Sequence, residues 1–470
     1  MLKNSWNRRR RAVQIVMILI FLLPLMAVNQ VIGSLSSSRI LGVTLTDPLA
    51  FLEVVLASKT MTLSFLVSAL LIVGAYLALG KVFCSWACPV GFLIEEVDAL
   101  LDTLKGKSKH EQKQYYWALP FFLMLSFAAG IPVFQTLSPI GIVYRTLLFG
   151  LGLEALVILI IIAMELVGFR RGWCRMVCPI GAFYTLIARW SPIKIRCDLD
   201  KCILCHKCTK ACAYTADSLE KVISGGCDFS VSALCTRCGC CIDACPTGAL
   251  QFSLKSGANQ IGKSNAIESN VVAATNSQGF SRRDALQGAG LIALAGLAYK
   301  PSQVLAAATP ELFRPPGAVG KEEFLAKCLR CGKCIEICPD KTLLSAHLDL
   351  GLNLGTPYFI PREVPCSLCM ECPEVCPSGA LVPLDMREVR IGVAEVDKDL
   401  CYAYQGDVCR TCYNNCPLSD EAIKMEGFQY PVVDSEICTG CGICEYVCVM
   451  EFPAIEIKRK DRSESDKKLN

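Results

Sequence analysis

Histidine is almost missing from this chain: 470 residues hold three, His110, His206 and His347. None lies in an apolar stretch, so a haem held between two histidines inside a helical bundle is excluded by inventory. Charge is scarce as well. Lys, Arg, Asp and Glu make up 19% against 53% hydrophobic residues, which points to a membrane component rather than a soluble enzyme. The formal net charge is only +4, and no basic stripe with interleaved aromatics occurs, so nothing suggests a nucleic-acid partner.

What the chain has in excess is cysteine, 31 in all. Disulfide-dense scaffolds are small secreted chains, whereas these cysteines fall in metal-ligand runs. Cys202, Cys205, Cys208 and Cys212 read C-x₂-C-x₂-C-x₃-C, and Cys235, Cys238, Cys241 and Cys245 repeat the spacing with Pro246 behind. Thiolates at these offsets wrap a loop around a cubane, and the fourth cysteine of each run ligates the partner cluster. Two runs in tandem therefore predict a two-cluster [4Fe–4S] ferredoxin fold. Structural zinc prefers isolated cysteine pairs with a longer spacer. Cys202 to His206 also matches the C-x-x-C-H of haem attachment, but the ferredoxin register already claims both cysteines.

Four more runs follow. Cys328, Cys331, Cys334, Cys338 and Cys366, Cys369, Cys372, Cys376 are regular; Cys401, Cys409, Cys412, Cys416 is expanded; Cys438, Cys441, Cys444, Cys448 is regular again. Sequential pairing of these runs and nested pairing, first with fourth and second with third, both fit. In total 24 cysteines are assigned to six clusters, while Cys197, Cys227 and Cys240 stand outside any register.

Apolar runs at about Ala12–Ile32, Met61–Leu79, Tyr115–Phe134 and Leu147–Val167 are each near the ~20 residues a helix needs to cross a bilayer. Basic residues concentrate at the amino terminus (Arg8 to Arg11), in the second connection and after the fourth run. By the positive-inside rule these segments, with the Cys202 ferredoxin, face the cytoplasm. Phe83-Cys84-Ser-Trp-Ala-Cys88-Pro89-Val90-Gly91 recurs 90 residues on as Trp173-Cys174-Arg-Met-Val-Cys178-Pro179-Ile180-Gly181. Leu45-Thr46-Asp47-Pro48-Leu49 returns as Leu137-Ser138-Pro139-Ile140 at nearly the same spacing, which argues for a duplicated two-helix unit. Residues 253–280 read as a polar linker. Ser281-Arg282-Arg283, an apolar stretch and Ala306-Ala307-Ala308 read as a twin-arginine export signal inside the chain.

The expected architecture is a membrane α-helical part joined to α+β bacterial-type ferredoxin domains. The four spans form a duplicated two-helix unit, with the export segment as a fifth if uncleaved. The divisions fall at 1–190 (membrane domain), 191–252 (two-cluster ferredoxin), 253–310 (linker and signal), 311–457 (four-cluster ferredoxin) and 458–470 (charged tail). The expected location is multi-pass in the cytoplasmic membrane, with 191–252 on the cytoplasmic side and 311–470 in the periplasm.

Residues 1–250 resemble NapH, the membrane ferredoxin subunit of periplasmic nitrate reductase systems, and residues 281–457 resemble NapG and the related MauM proteins. The resemblance implies the two fused, acting as a quinol dehydrogenase that passes electrons from menaquinol or ubiquinol to a periplasmic reductase or cytochrome c. It implies no haem. The C-x₃-C-P motifs are shared with NosR- and FixG-like proteins, which keeps open a redox maturation factor for another metalloenzyme. Ala213 and Val449 depart from the family, where proline usually follows the last cysteine. Cys84, Cys88, Cys174 and Cys178 are candidates to ligate a metal jointly, form redox-active pairs, line a quinone pocket or play a structural part. Glu154 and Glu165, placed near one face of the fourth run, are candidates to release quinol protons. About 30 Å of hydrocarbon would separate the two ferredoxin parts, with no haem to bridge it.

Overall fold

The computed structural model describes residues 5–26, 30–105, 116–169, 171–216, 219–220, 223, 229–230, 233–254 and 310–459. The linker from residue 255 onward, the twin-arginine segment, Cys227 and the end of the charged tail lie outside them; the first two linker positions, 253 and 254, belong instead to a strand.

Local punctuation sets the helices of the first part. Helix α1 (Ser5–Phe21) is followed by a three-stranded antiparallel meander, β1 (Val31–Ser34), β2 (Ser37–Ile40) and β3 (Val43–Thr46). Helix α2 (Pro48–Ser58) opens with proline at its first position, and the Asp47 carboxylate accepts from the Ala50 amide at 3.1 Å. This satisfies one of the donors a helix start leaves unpaired. Helix α3 (Leu63–Leu79) stops at Gly80, which has a φ of 76°. A short turn, α4 (Phe83–Trp86), leads to α5 (Pro89–Lys105). After α6 (Ala118–Ala129) and α7 (Val133–Leu137) the pattern repeats: α8 (Pro139–Phe149), α9 (Leu156–Val167), a π-type turn over Trp173–Val177 and α10 (Pro179–Ala188). Proline starts α2, α5, α8 and α10 alike. Leu49, Phe134, Ile161, Ile180 and Tyr184 form the core between the two repeats.

The expected four-span membrane fold is not what these segments build. The first run is helical only to Phe21, where a 3-10 turn takes over. The second is a helix of 17 residues. The third is cut to 12 by Gly130 and Pro132, and the fourth to 12 because Gly150 and Gly152 delay its start. Twelve residues rise about 18 Å, well short of the ~30 Å hydrocarbon thickness. Among the described residues no helix is long and apolar enough to cross a membrane. The multi-pass location falls with the spans, because a charge asymmetry orients nothing when there are no spans to orient. The repeat unit also holds more than two helices. Apolar side chains on α1, α3 and α9, among them Leu19, Leu70 and Ile160, remain exposed.

The cysteine runs form two α+β bodies. In the first, β4 (Ile193–Cys197), β5 (Phe229–Ser230) and β6 (Leu250–Leu254) make an antiparallel sheet in the order β5-β4-β6. In the second, β7 (Leu344–Ser345) pairs with β8 (Pro357–Tyr358), β9 (Val393–Val396) with β12 (Ile455–Lys458), and β10 (Ile423–Glu426) with β11 (Tyr430–Val433). The two bodies meet opposite ends of α3. At its start Thr62 donates to the Pro377 carbonyl at 3.2 Å; near its end the Ala78 carbonyl accepts from Ser191 at 2.9 Å. The first body is held further by Ser85 and Trp86, which donate to the Thr236 and Arg237 carbonyls. The second is held by the Gly33 amide on Glu336, by Lys333 on Ser37, and by Tyr144, whose hydroxyl donates to Glu336. About 25 Å of helix therefore separates the two contact surfaces.

Candidate metal centres

Each regular run follows one backbone recipe. The second residue after the first cysteine adopts left-handed φ, and so does the residue after the second cysteine: Leu204 and His206, Arg237 and Gly239, Arg330 and Gly332, Leu368 and Met370, Gly440 and Gly442. This double reversal curls the loop so that three sulfurs face inward. It also accounts for His206, whose φ of 54° marks it as part of the loop. The expanded run takes up its extra residues as a short helix, Tyr402–Gln405.

The fourth cysteines change partners within consecutive runs. Cys202, Cys205, Cys208 and Cys245 line one cavity of about 340 Å³, and Cys212, Cys235, Cys238 and Cys241 another of about 390 Å³. In the second body Cys401, Cys409, Cys412 and Cys448 line a cavity of about 370 Å³, and Cys416, Cys438, Cys441 and Cys444 one of about 320 Å³. Cys376 acts electrostatically on Cys328, Cys331 and Cys334, while Cys338 acts on Cys366 and Cys372. The geometry is sequential pairing; the nested arrangement does not occur.

These cages suit a polynuclear group. Four thiolates on a single zinc stand about 3.8 Å apart, given Zn–S bonds of about 2.3 Å. Among the described residues no three His, Cys, Asp or Glu side chains come together closely enough to hold one metal ion. Backbone amides point at sulfur: Thr215 on Cys212 at 3.2 Å, Ala249 on Cys245 at 3.3 Å, Leu368 on Cys366 at 3.4 Å and Ala454 on Cys448 at 3.4 Å. Such donors stabilise thiolate charge and tune a cluster's potential. Off-register Cys197 is buried against the cage of Cys202, and Cys240 neighbours Cys238.

The two C-x₃-C-P motifs converge. Cys84, Cys88, Cys174 and Cys178 line a single apolar cavity of about 520 Å³ between the repeats. In each pair the first cysteine sits in a helical turn and the second just before a proline-started helix. Burial pushes all four thiols up, Cys178 to about 12. The nearby Lys81 ammonium opposes this at Cys84 and Cys178, and the Arg171 guanidinium does so at Cys174.

Glu154 and Glu165 are not brought together. Glu154 lies in the 3-10 turn before α9, buried, 3.0 Å from His347 Nδ1 of the second body. Glu165 lies near the other end of α9 and accepts from the Arg171 amide at 2.8 Å. Neither lines the four-cysteine cavity. Lys81, Tyr214 and the Asp47–Tyr184 hydrogen bond were not singled out from sequence. The signal for Lys81 was present: Arg171 stands 90 residues on, so each repeat carries a basic residue three positions before its first cysteine.

Comparison with known proteins matches this geometry. Family models described as 4Fe-4S binding domain match residues 61–108 and 151–197, 199–215 and 325–341, 231–251, and 366–380. The first covers both C-x₃-C-P motifs. The ferredoxin-type protein NapG of Escherichia coli (strain K12) is 43% identical over 190 residues, 37% of this chain and 82% of the relative. The methylamine utilization ferredoxin-type protein MauM of Paracoccus denitrificans (strain Pd 1222) is 39% identical over 207 residues, 40% of this chain and 91% of the relative. A further relative, the methylamine utilization ferredoxin-type protein MauN of Methylorubrum extorquens, is 31% identical over 258 residues, 54% of this chain and 90% of its own. No solved structure matches. Cysteine runs curled into cages, four of the six covered by these models, and relatives matched over most of their length make the chain a member of the NapG/MauM family of ferredoxin-type electron-transfer proteins, which carry multiple [4Fe–4S] clusters.

Proposed function

We propose that this protein is a quinol dehydrogenase in which a NapH-like part and a NapG-like part are fused. It takes electrons from menaquinol or ubiquinol and delivers them to a terminal reductase of the nitrate-reductase kind. The observation that carries this reading is the division of six cysteine cages into a group of two and a group of four, held at opposite ends of one helical part. The matches to NapG/MauM, over about two fifths of the chain, and to MauN, over 54% of it, support it.

Oxidation of one quinol releases two electrons and two protons, and the electrons leave singly. When bound, [4Fe–4S] clusters supply one-electron transfer at potentials set by burial and by hydrogen bonds to sulfur. The chain's share is positional. Its amides hold the sulfurs of Cys212, Cys245, Cys366 and Cys448, and its apolar cores keep water from the cages.

The experiment is anaerobic reduction of the purified full-length protein by ubiquinol or menaquinol, followed by visible absorbance and by iron analysis. Six clusters correspond to about 24 irons per chain, bleached in a quinol-dependent manner. About four irons in total, or no quinol-dependent bleaching, overturns the proposal. A gene deletion that leaves the target reductase assembled but starved of electrons agrees with it; an unassembled reductase points instead to a maturation factor.

A further inference from the structure

The six cages leave four cysteines of the repeated motif unused, and these four meet in one apolar cavity. Their backbone is built to bring them there. A β-carbon on Gly91 would stand 2.5 Å from the Cys84 carbonyl oxygen, and one on Gly181 would stand 3.0 Å from the Cys174 carbonyl oxygen. Glycine is required at 91, and at 181 it avoids a tight contact, as each first cysteine folds back over the helix that its second cysteine starts. The Gly91 amide lies 3.4 Å from Cys88 Sγ, the same kind of contact found in the cages.

Charge is an independent witness. Lys81 is 2% exposed, lines the cavity and donates to Thr185 Oγ1 at 2.9 Å. Among the described residues it has no carboxylate partner, and an isolated buried ammonium is costly. Thiolates gathered on a metal–sulfur core would carry the missing negative charge. Its repeat counterpart Arg171 is paired with Asp98 at 3.1 Å and acts on Cys174 from outside the lining. The cavity thus has one buried cation in its wall beside two thiols from each repeat.

We propose that Cys84, Cys88, Cys174 and Cys178 jointly hold a seventh iron–sulfur centre. A single zinc ion is disfavoured because the sulfurs are not gathered tightly enough for one ion. A quinone head would engage Lys81 and Tyr214 of this lining and leave the four weakly bonding thiols unused. Tyr214 walls both this cavity and the cage of Cys212, Cys235, Cys238 and Cys241, so the centre adjoins the first ferredoxin body across one ring. Its role there, one electron in and one out with no bond made or broken, rests on the relay reading above; its existence does not.

The test compares anaerobically purified full-length protein with its Cys88→Ser, Cys178→Ser and doubly substituted variants. Readouts are iron and acid-labile sulfide per chain and the electron paramagnetic resonance spectrum after reduction. The wild type is expected to hold about 28 irons, or about 26 for a two-iron centre, instead of about 24. Each single variant and the double variant lose the same irons and the same spectral component, because one shared centre cannot survive loss of either half. About 24 irons in the wild type overturns this proposal while leaving the relay standing; about four overturns both. Should the variants fail to accumulate, the wild-type count decides alone. Quinone extracted with the wild type and lost from variants of unchanged iron content also overturns it, as does a disulfide found within either pair.

Discussion

Glu53 offers a quantitative check on the helical part. It sits on α2 with no solvent exposure, and its carboxylate accepts from the Phe134 amide and Ser126 Oγ at 3.0 Å each and from Gln135 Nε2 at 3.1 Å. Burial raises its pKa from 4.5 to about 7, against the opposing pull of those three donors. Between these values the folded chain holds a proton that the unfolded chain has released, so stability falls as pH rises. The stabilisation is complete below about pH 4.5 and gone above about pH 7. A difference of that size corresponds to about 3 kcal/mol.

Glu53→Gln removes the titration while keeping the shape, and Gln135 can turn its amide to accept from the new one. Thermal unfolding followed by far-ultraviolet circular dichroism, under anaerobic conditions at fixed scan rate, reads the result. The variant's midpoint should equal or fall below wild type at pH 5 and rise relative to it toward pH 8. Glu53→Ala strands three donors, each costing about 1–3 kcal/mol, and should be destabilised throughout. Parallel wild-type and Glu53→Gln profiles across this range would refute the buried titration and the burial that causes it.

Three further outcomes follow from the contacts described. Asp243 accepts from the Trp6 and Asn7 amides at 3.2 and 2.8 Å; Asp243→Ala should cost about 1–2 kcal/mol, read as faster amide exchange in the first turn of α1 with α5 unchanged. Arg10 is buried against Glu95, with Nη1 donating to Oε2 at 2.7 Å. Glu95→Ala leaves an uncompensated charge and should cost about 3–5 kcal/mol in thermal or denaturant unfolding, with Arg10→Met restoring part of it in the double variant. Cys376→Ser should perturb the cluster signal shared with Cys328, Cys331 and Cys334 and spare the one shared with Cys366, Cys369 and Cys372; the reverse assignment in magnetic spectra of site-labelled protein would sink sequential pairing.

The cages were legible because ligand spacing is a local property: C-x₂-C-x₂-C fixes a loop whatever surrounds it. Which run lends its fourth cysteine to which was not, since Cys338 and Cys376 trade places through packing over distances that spacing does not encode. The apolar runs misled for a related reason. Hydropathy averages over Gly130 and Pro132, or over Gly150 and Gly152, without registering that each ends a helix. The repeat was visible from Cys84 and Cys174, yet its meaning was not, because convergence of two motifs 90 residues apart is a tertiary fact. In the sequence Lys81 is one basic residue among several in its connection; its burial against the cavity reveals its different part.

The left-handed residues in the cluster loops bear on how a cell handles the newly made chain. Leu204, His206, Arg237, Arg330, Leu368 and Met370 all hold a conformation that costs a non-glycine residue about 1–2 kcal/mol. Together they weigh roughly 6–12 kcal/mol, comparable to the whole stability of an ordinary domain. The cysteines they position are also members of the apolar cores. A chain that has not received its iron therefore relaxes its loops and opens its cores at once, because ligand binding and folding draw on the same free energy. Polypeptide lacking clusters then exposes its interior to proteases and chaperones, so iron and sulfide act on this chain as folding ligands.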